Sequence, residues 1–249
     1  MSTRNLVQLN PWAHLRAFTD ARIALGRVGN SQTTDAVHQP LDSTAVAAAL
    51  AQAGFASLVV HSAAADRAQY LCRPDLGRRL SDASRASLAA ARPAKPVDTV
   101  FVIADGLSAL AAVNHGALLL HSVRERLPAE WAIGPVVIAE QSRVALGDEI
   151  GELLGARQVV MLIGERPGLS SPDSLGIYLT HAPRVGRTDA ERNCISNVRP
   201  AGLGYDQAAD KLVFLLKGAQ ALGRSGIDLK DDTPVTNAIA APTTAQLKE

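Results

Sequence analysis

The chain has 249 residues, 47% hydrophobic and 20% charged, enough apolar mass for one large domain or two small ones and too much for a disordered tail. Lysine and arginine number 25 against 24 acidic residues, and the net charge of +1 excludes nucleic-acid binding by bulk positive charge. Two cysteines, Cys72 and Cys194, exclude a disulfide scaffold and a cysteine zinc cage, and suit a reducing compartment.

Met1 to Arg22 holds scattered charges and no apolar run of the signal-peptide kind. Residues 11–25 predict a helix, with Pro11 in its first turn and Gly26 as its stop. Asp42-Ser43-Thr44 caps a second helix over 45–52, ended by Gly54. Leu58 to Val60 reads as a strand and Tyr70 to Arg73 as a short extended piece. Residues 81–91 predict a helix capped by Ser81 or Asp82, and Arg92-Pro93-Ala94-Lys95-Pro96 reads as a linker. Beyond it apolar runs alternate with helical patterns. Strands are predicted over 99–103, 136–139, 158–163 and 175–180, with helices over 107–126 and 148–154 between them. Residues 206–222 form an amphipathic helix, with Leu212, Leu215, Leu216, Ala219 and Leu222 at helical spacing. The stretch 100–120 is the most apolar, but Asp105, Asn114 and His115 make it costly in lipid, so no membrane span is expected and the protein is placed in the cytoplasm.

The predicted class is α/β: a mostly parallel, Rossmann-like sheet flanked by helices and preceded by a largely helical N-terminal region. The predicted division is a helical region over 1–95, a Rossmann-like domain over 96–230 and a flexible tail over 231–249.

In an open α/β sheet ligands sit beyond the carboxyl ends of the strands. Three loops are predicted there: Ala104-Asp105-Gly106-Leu107-Ser108, Gly164-Glu165-Arg166-Pro167-Gly168 and Arg192-Asn193-Cys194-Ile195-Ser196-Asn197. Asp105 either caps the following helix or faces a ligand, or does both. Glu165 and Arg166 read either as a solvated pair or as a ligand contact, and Cys194 either as a small buried residue or as a contact. The chain has no G-x-G-x-x-G after a strand, no P-loop, no C-x-x-C, no H-E-x-x-H and no G-x-S-x-G. His14, His38, His61, His115, His121 and His181 lack metal-ligand spacing, and His181 reads as a solvated strand end. A ligand-type edge without a catalytic set suggests half of a site, completed by another chain.

Four words in order resemble the ethanolamine ammonia-lyase light-chain family: Arg73-Pro-Asp-Leu-Gly-Arg-Arg-Leu80, Ala104-Asp-Gly-Leu-Ser108, Val159-Val-Met-Leu-Ile-Gly-Glu-Arg-Pro-Gly168 and Arg192-Asn-Cys-Ile-Ser-Asn197. The resemblance covers roughly residues 10–230. It implies the small subunit of an adenosylcobalamin-dependent lyase that converts ethanolamine to acetaldehyde and ammonia through an adenosyl radical. It implies a heavy-chain partner, a barrel that carries the substrate, in a hetero-oligomer that in some bacteria sits within a microcompartment. Carried over by position, Val144, Glu165 and Cys194 are the cofactor-binding residues, with no catalytic residue and no metal ligand in this chain. Glu165 is expected to accept hydrogen bonds from the amides of the corrin rim. Val144 would give an apolar wall, and Cys194 would make contact by shape or backbone. No Asp-x-His-x-x-Gly occurs, which implies that the cofactor keeps its own dimethylbenzimidazole as lower ligand.

Arg73, Arg78 and Arg79 are expected to pair with heavy-chain carboxylates, the alternative being a solvated face. Two other readings of the whole chain are a non-catalytic cobalamin- or nucleotide-binding module and a purely structural partner of a barrel enzyme.

Overall fold

A computed structural model describes residues 37–168 and 171–230. The helix expected over 11–25 and the tail from 231 lie outside the described residues.

Helix α1 (Ser43–Gln52) starts where Asp42 Oδ1 accepts from Ala45 N at 2.9 Å, and it buries Val46 and Leu50. Strand β1 (Ser57–His61) follows. Helix α2 (Arg67–Cys72) is capped by Asp66, whose Oδ1 accepts from Gln69 N at 2.8 Å. It replaces the extended piece expected over Tyr70 to Arg73. The local β preference of Tyr is overridden because Tyr70 is fully buried against two guanidinium groups, Arg67 at 4.8 Å and Arg143 at 4.4 Å from its ring centre. A single turn of 3-10 helix (Leu76–Arg78) leads to α3 (Asp82–Ala90), capped by Ser81.

The chain then builds β2 (Val97–Ala104), α4 (Ala109–Arg126), β3 (Val136–Glu140), α5 (Leu146–Leu154) and β4 (Ala156–Gly164). Gly155 stops α5 in the left-handed region, at φ 67°. Strands β5 (Leu175–His181) and β6 (Arg192–Val198) and helix α6 (Tyr205–Leu222) complete the fold.

The strands form one sheet in the order β1-β3-β2-β4-β5-β6. The pairs β1–β3, β3–β2 and β2–β4 are parallel, while β4–β5 and β5–β6 are antiparallel. The sheet is therefore mixed, not mostly parallel, and the Rossmann-like expectation gives way to this coarser α/β description. The reason is loop length. The links 165–174 and 182–191 are too short for the crossover that a parallel return requires, about a dozen residues or more. Within the described part of the N-terminal region, α1, α2 and α3 are interrupted by β1, which pairs with β3 of this same sheet.

Helices α1, α4 and α6 cover one face, where Phe101, Ile103, Ile138, Val160 and Leu162 meet Leu119, Leu120 and Leu212. Helices α3 and α5 cover part of the other, where Val100, Val102, Val137 and Met161 meet Leu88, Leu146 and Ile150. Among the described residues no helix is long and apolar enough to cross a membrane.

Candidate functional site

The parallel strands β1, β3, β2 and β4 all end on one edge, at His61, Glu140, Ala104 and Gly164. Asp105, directly after β2, is fully buried there. Its carboxylate accepts from Gln141 N (2.8 Å), Ser142 N (2.9 Å) and Arg67 Nη1 (3.0 Å). Burial pushes its pKa up, while Arg67 and the backbone N–H groups act against that shift. Asp105 does not cap α4. Ser108 does, accepting from Ala111 N at 3.3 Å, because it sits immediately before the first helical residue.

Asp105 instead fixes the turn after β3. Gln141 is held there at φ 55°, a left-handed conformation unusual for a side-chain-bearing residue. Tyr70 Oη donates to Ser142 O at 2.9 Å from the other side. Two bolts, one from β2 and one from α2, thus present Arg143 and Val144 at the edge. The turn before α3 is tied to the same place, since Arg143 N donates to Gly77 O at 2.8 Å. A Cβ on Gly77 would come within 2.9 Å of the Tyr70 ring, so this close approach requires glycine.

Glu165 begins the loop after β4 and is half-buried. It does not pair with Arg166. Its Oε2 accepts from Ser174 Oγ (2.5 Å) and Asn197 N (3.2 Å), tying the start of β5 and the end of β6 to the loop. Oε1 lies over Gly176, where a Cβ would come within 3.0 Å of it, and no hydrogen bond from the described residues reaches it. The rest of the loop is held to α4. Ser108 Oγ donates to Pro172 O at 2.8 Å, and His115 Nε2 lies 3.1 Å from Asp173 Oδ2.

Cys194 is not in a loop. The stretch read as a third ligand loop is strand β6, with Cys194 exposed on it and paired across to Tyr178 of β5. Its pattern hid the strand: only Ile195 and Val198 are apolar, and a register shift between Leu175 and Ile177 breaks strict alternation. Tyr178 packs with Val144 against the α5 side of the sheet. Burial pushes the Tyr178 phenol up, and the Cys194 thiol and the Glu165 carboxylate beside it push it further. Tyr178 is thus the residue that brings Val144, Glu165 and Cys194 into one neighbourhood.

Two clefts meet at this place. The smaller, of about 470 Å³, is walled by Gly106, Leu107, Arg143, Val144, Glu165 and Tyr178. The larger, of about 790 Å³, shares Arg143, Val144 and Tyr178 and continues past Arg78, Arg79 and Arg192. In the larger one Arg192 and Asp148 form an ion pair only 2% and 3% exposed. Burial raises Asp148 to about 6, against the lowering effect of Arg192. Among the described residues, three buried polar atoms on the cleft walls have no partner: Arg143 Nε, Arg192 Nε and Asp148 Oδ1. His181, at the far end of β5, lies outside both clefts, its Nδ1 buried and partnerless rather than solvated.

The sequence offered little for Arg143 and Tyr178. Tyr178 sits inside an apolar strand, and Arg143 is a lone charge in a turn. Their role follows from register and from the Tyr70 stack. Arg73, grouped with Arg78 and Arg79 above, pairs instead with Asp75 through two bonds of 2.9 and 2.8 Å.

The sequence model of the ethanolamine ammonia-lyase light chain matches residues 9–230. The chain is 54% identical to an ethanolamine ammonia-lyase small subunit of Pseudomonas fluorescens, over 91% of this chain and 89% of that one. It is also 54% identical to the small subunit of Ralstonia nicotianae, over 92% and 91%, and 52% identical to that of Azotobacter vinelandii, over 94% and 93%.

Proposed function

This chain belongs to the ethanolamine ammonia-lyase light-chain family, and from that premise we propose that it holds adenosylcobalamin against a heavy chain that carries the substrate. The observation that carries this reading is the continuous cleft in which Val144 and Glu165 share a wall with Tyr178, itself paired with Cys194.

The residues fit a corrinoid. Its rim of amide side chains needs acceptors, and among the described residues no donor reaches Glu165 Oε1, while Oε2 is held in place. Its apolar edge needs walls, and Val144 and Tyr178 are half-buried apolar surfaces beside it. The orphaned Arg143 Nε is a donor without an acceptor in a place where a large polar ligand would give it one. Adenosylcobalamin, when bound, supplies the radical chemistry that turns ethanolamine into acetaldehyde and ammonia. This chain's part is to position and shield. Glu165 orients the rim, Val144 and Tyr178 exclude water from one side, and the Asp105 cluster keeps the Arg143-Val144 turn rigid. With no Asp-x-His-x-x-Gly word, this chain would hold the rim and tail of the cofactor rather than its metal. The assembly is a hetero-oligomer with the heavy chain.

The test is the apparent cofactor constant of Glu165→Gln and Glu165→Ala in the assembled enzyme. Gln keeps an acceptor and loses the charge, so binding weakens. Ala loses both and releases Ser174 and Asn197, so it weakens further, by about ten- to a hundredfold, the equivalent of about 1–3 kcal/mol. The limiting rate changes less than the constant. An unchanged constant with a collapsed rate, or loose assembly with normal cofactor binding, contradicts the holding role and favours a purely structural partner.

A further inference from the structure

The larger cleft is lined by arginines of two kinds. Arg85, Arg187 and Arg192 are matched by Glu149, Glu191 and Asp148. Arg78, Arg79 and Arg143 are different: among the described residues none of the three has a carboxylate at ion-pair distance. They are also held in a fixed relation. Arg78 belongs to the Leu76–Arg78 turn, and Arg143 N is bonded to Gly77 O within that turn. Arg79 O accepts from Ala63 N at 2.8 Å, and Ser81 N donates to His61 O at 3.0 Å, so the segment after the turn is pinned to the end of β1. Arg143 stacks on Tyr70, which fixes its guanidinium plane and leaves its buried Nε without an acceptor. Three guanidinium groups without a carboxylate at ion-pair distance among the described residues, on a braced backbone and one with an orphaned buried donor, suit an anion, although Asp75 lies near enough to Arg79 to have its pKa lowered by it. Guanidinium forks suit the paired oxygens of a phosphate better than a single point acceptor.

The arginine cleft is continuous with the corrin cleft through Arg143, Val144 and Tyr178. A cobalamin has the matching chemistry: an amide-bearing corrin joined by a short tail to one phosphodiester anion. Resting on the cofactor-holding role above, we propose that Arg78, Arg79 and Arg143 bind the phosphodiester of the cofactor's nucleotide tail. The corrin rim then lies against Val144 and Glu165. The paired arginines around them build the wall and take no part in binding the anion.

The test compares two corrinoids on the assembled complex of this chain with its heavy chain. Cyanocobalamin carries the tail, whereas cobinamide has the corrin and lacks the phosphodiester. Neither supports turnover, so the readout is the dissociation constant measured by equilibrium dialysis with absorbance detection. In the wild-type complex, cyanocobalamin binding weakens with added salt and cobinamide binding does not. Arg78→Gln/Arg79→Gln weakens cyanocobalamin by about ten- to a hundredfold and leaves cobinamide unchanged, while Arg143→Gln, which also walls the corrin cleft, weakens cyanocobalamin more than cobinamide. Arg143→Lys recovers part of the loss. Any defect in folding or assembly would lower both corrinoids together, so the ratio is its own control. Equal losses for both ligands, or no loss for either, overturn the proposal. Loss of subunit association in the double variant, with both ligands lost together, shows that these arginines dock heavy-chain carboxylates instead. A wild-type complex that binds neither corrinoid overturns the cofactor-holding role itself, which separates that failure from this one.

Discussion

Cys194 lies on the exposed face of β6, its Sγ 3.4 Å from Ser196 Oγ, where no core depends on it. Cys194→Ala is therefore expected to change stability by less than about 0.5 kcal/mol and to leave the cofactor constant nearly as it is. Cys194→Trp places a ring on the face shared with Tyr178 and is expected to raise the cofactor constant at least about tenfold, since one lost contact of about 1.4 kcal/mol suffices. Titration of both variants in the assembled enzyme checks this. A dead Ala variant at saturating cofactor would show that the sulfur acts chemically. Asp148 gives a pH prediction. Its value rises from 3.8 to about 6 on folding, so the native state holds the extra proton between those values. The stability it contributes is present below about pH 4 and is lost as pH rises through 6. Asp148→Asn does not titrate. Urea unfolding should therefore show wild type losing ground to the Asn variant between pH 4.5 and 6.5, with a constant gap above that. A gap that closes with rising pH would reverse the sign. At this scale the sequence alone was least informative. Val144, Glu165 and Cys194 entered through a family resemblance, and Asp105 was open between cap and ligand contact. Its three hydrogen-bonded partners are 36 to 38 positions away in sequence, a distance that no local pattern reports.

The β2–α4 connection shows what elements contribute. Asp105 joins the end of β2 to the turn after β3 and, through Arg67, to α2. Asp105→Ala leaves Arg67 buried without its carboxylate and frees two backbone N–H groups. The expected cost is about 3–5 kcal/mol in urea unfolding, with a weaker cofactor constant in the assembled enzyme because the Arg143-Val144 turn is released. Stability within about 0.5 kcal/mol of wild type would remove Asp105 from this role. Most elements were legible because their signals are local. Apolar runs gave β2, β3 and β4, helical spacing gave α6, and Gly155 marked the stop of α5. The failures share a cause. Helix α2 is held where Tyr70 packs against Arg143, far along the chain, and β6 exists because β5 offers it an edge. The expected parallel sheet missed the antiparallel direction of β5, and β6 was read as a loop, although the short link 165–174 carried part of the information.

At the scale of the molecule, the parallel half of the sheet supplies the edge of the candidate site and the antiparallel half extends it sideways. The turn after β3 brings Val144, the loop after β4 brings Glu165, and β5 with β6 adds Tyr178 and Cys194 on the neighbouring face. Among the described residues the resulting cleft is walled by Val144, Glu165, Tyr178 and several arginines, a lining that suits the proposed holding of a cofactor. The α/β class of the fold could be read from the sequence. The cleft could not, because it is assembled from four segments that only the sheet order brings together. The most direct measurement is ethanolamine turnover with adenosylcobalamin by this chain, by the heavy chain and by the two mixed. The account predicts acetaldehyde and ammonia from the mixture and none from either chain alone. Turnover by this chain alone, or full turnover by the heavy chain without it, would contradict it.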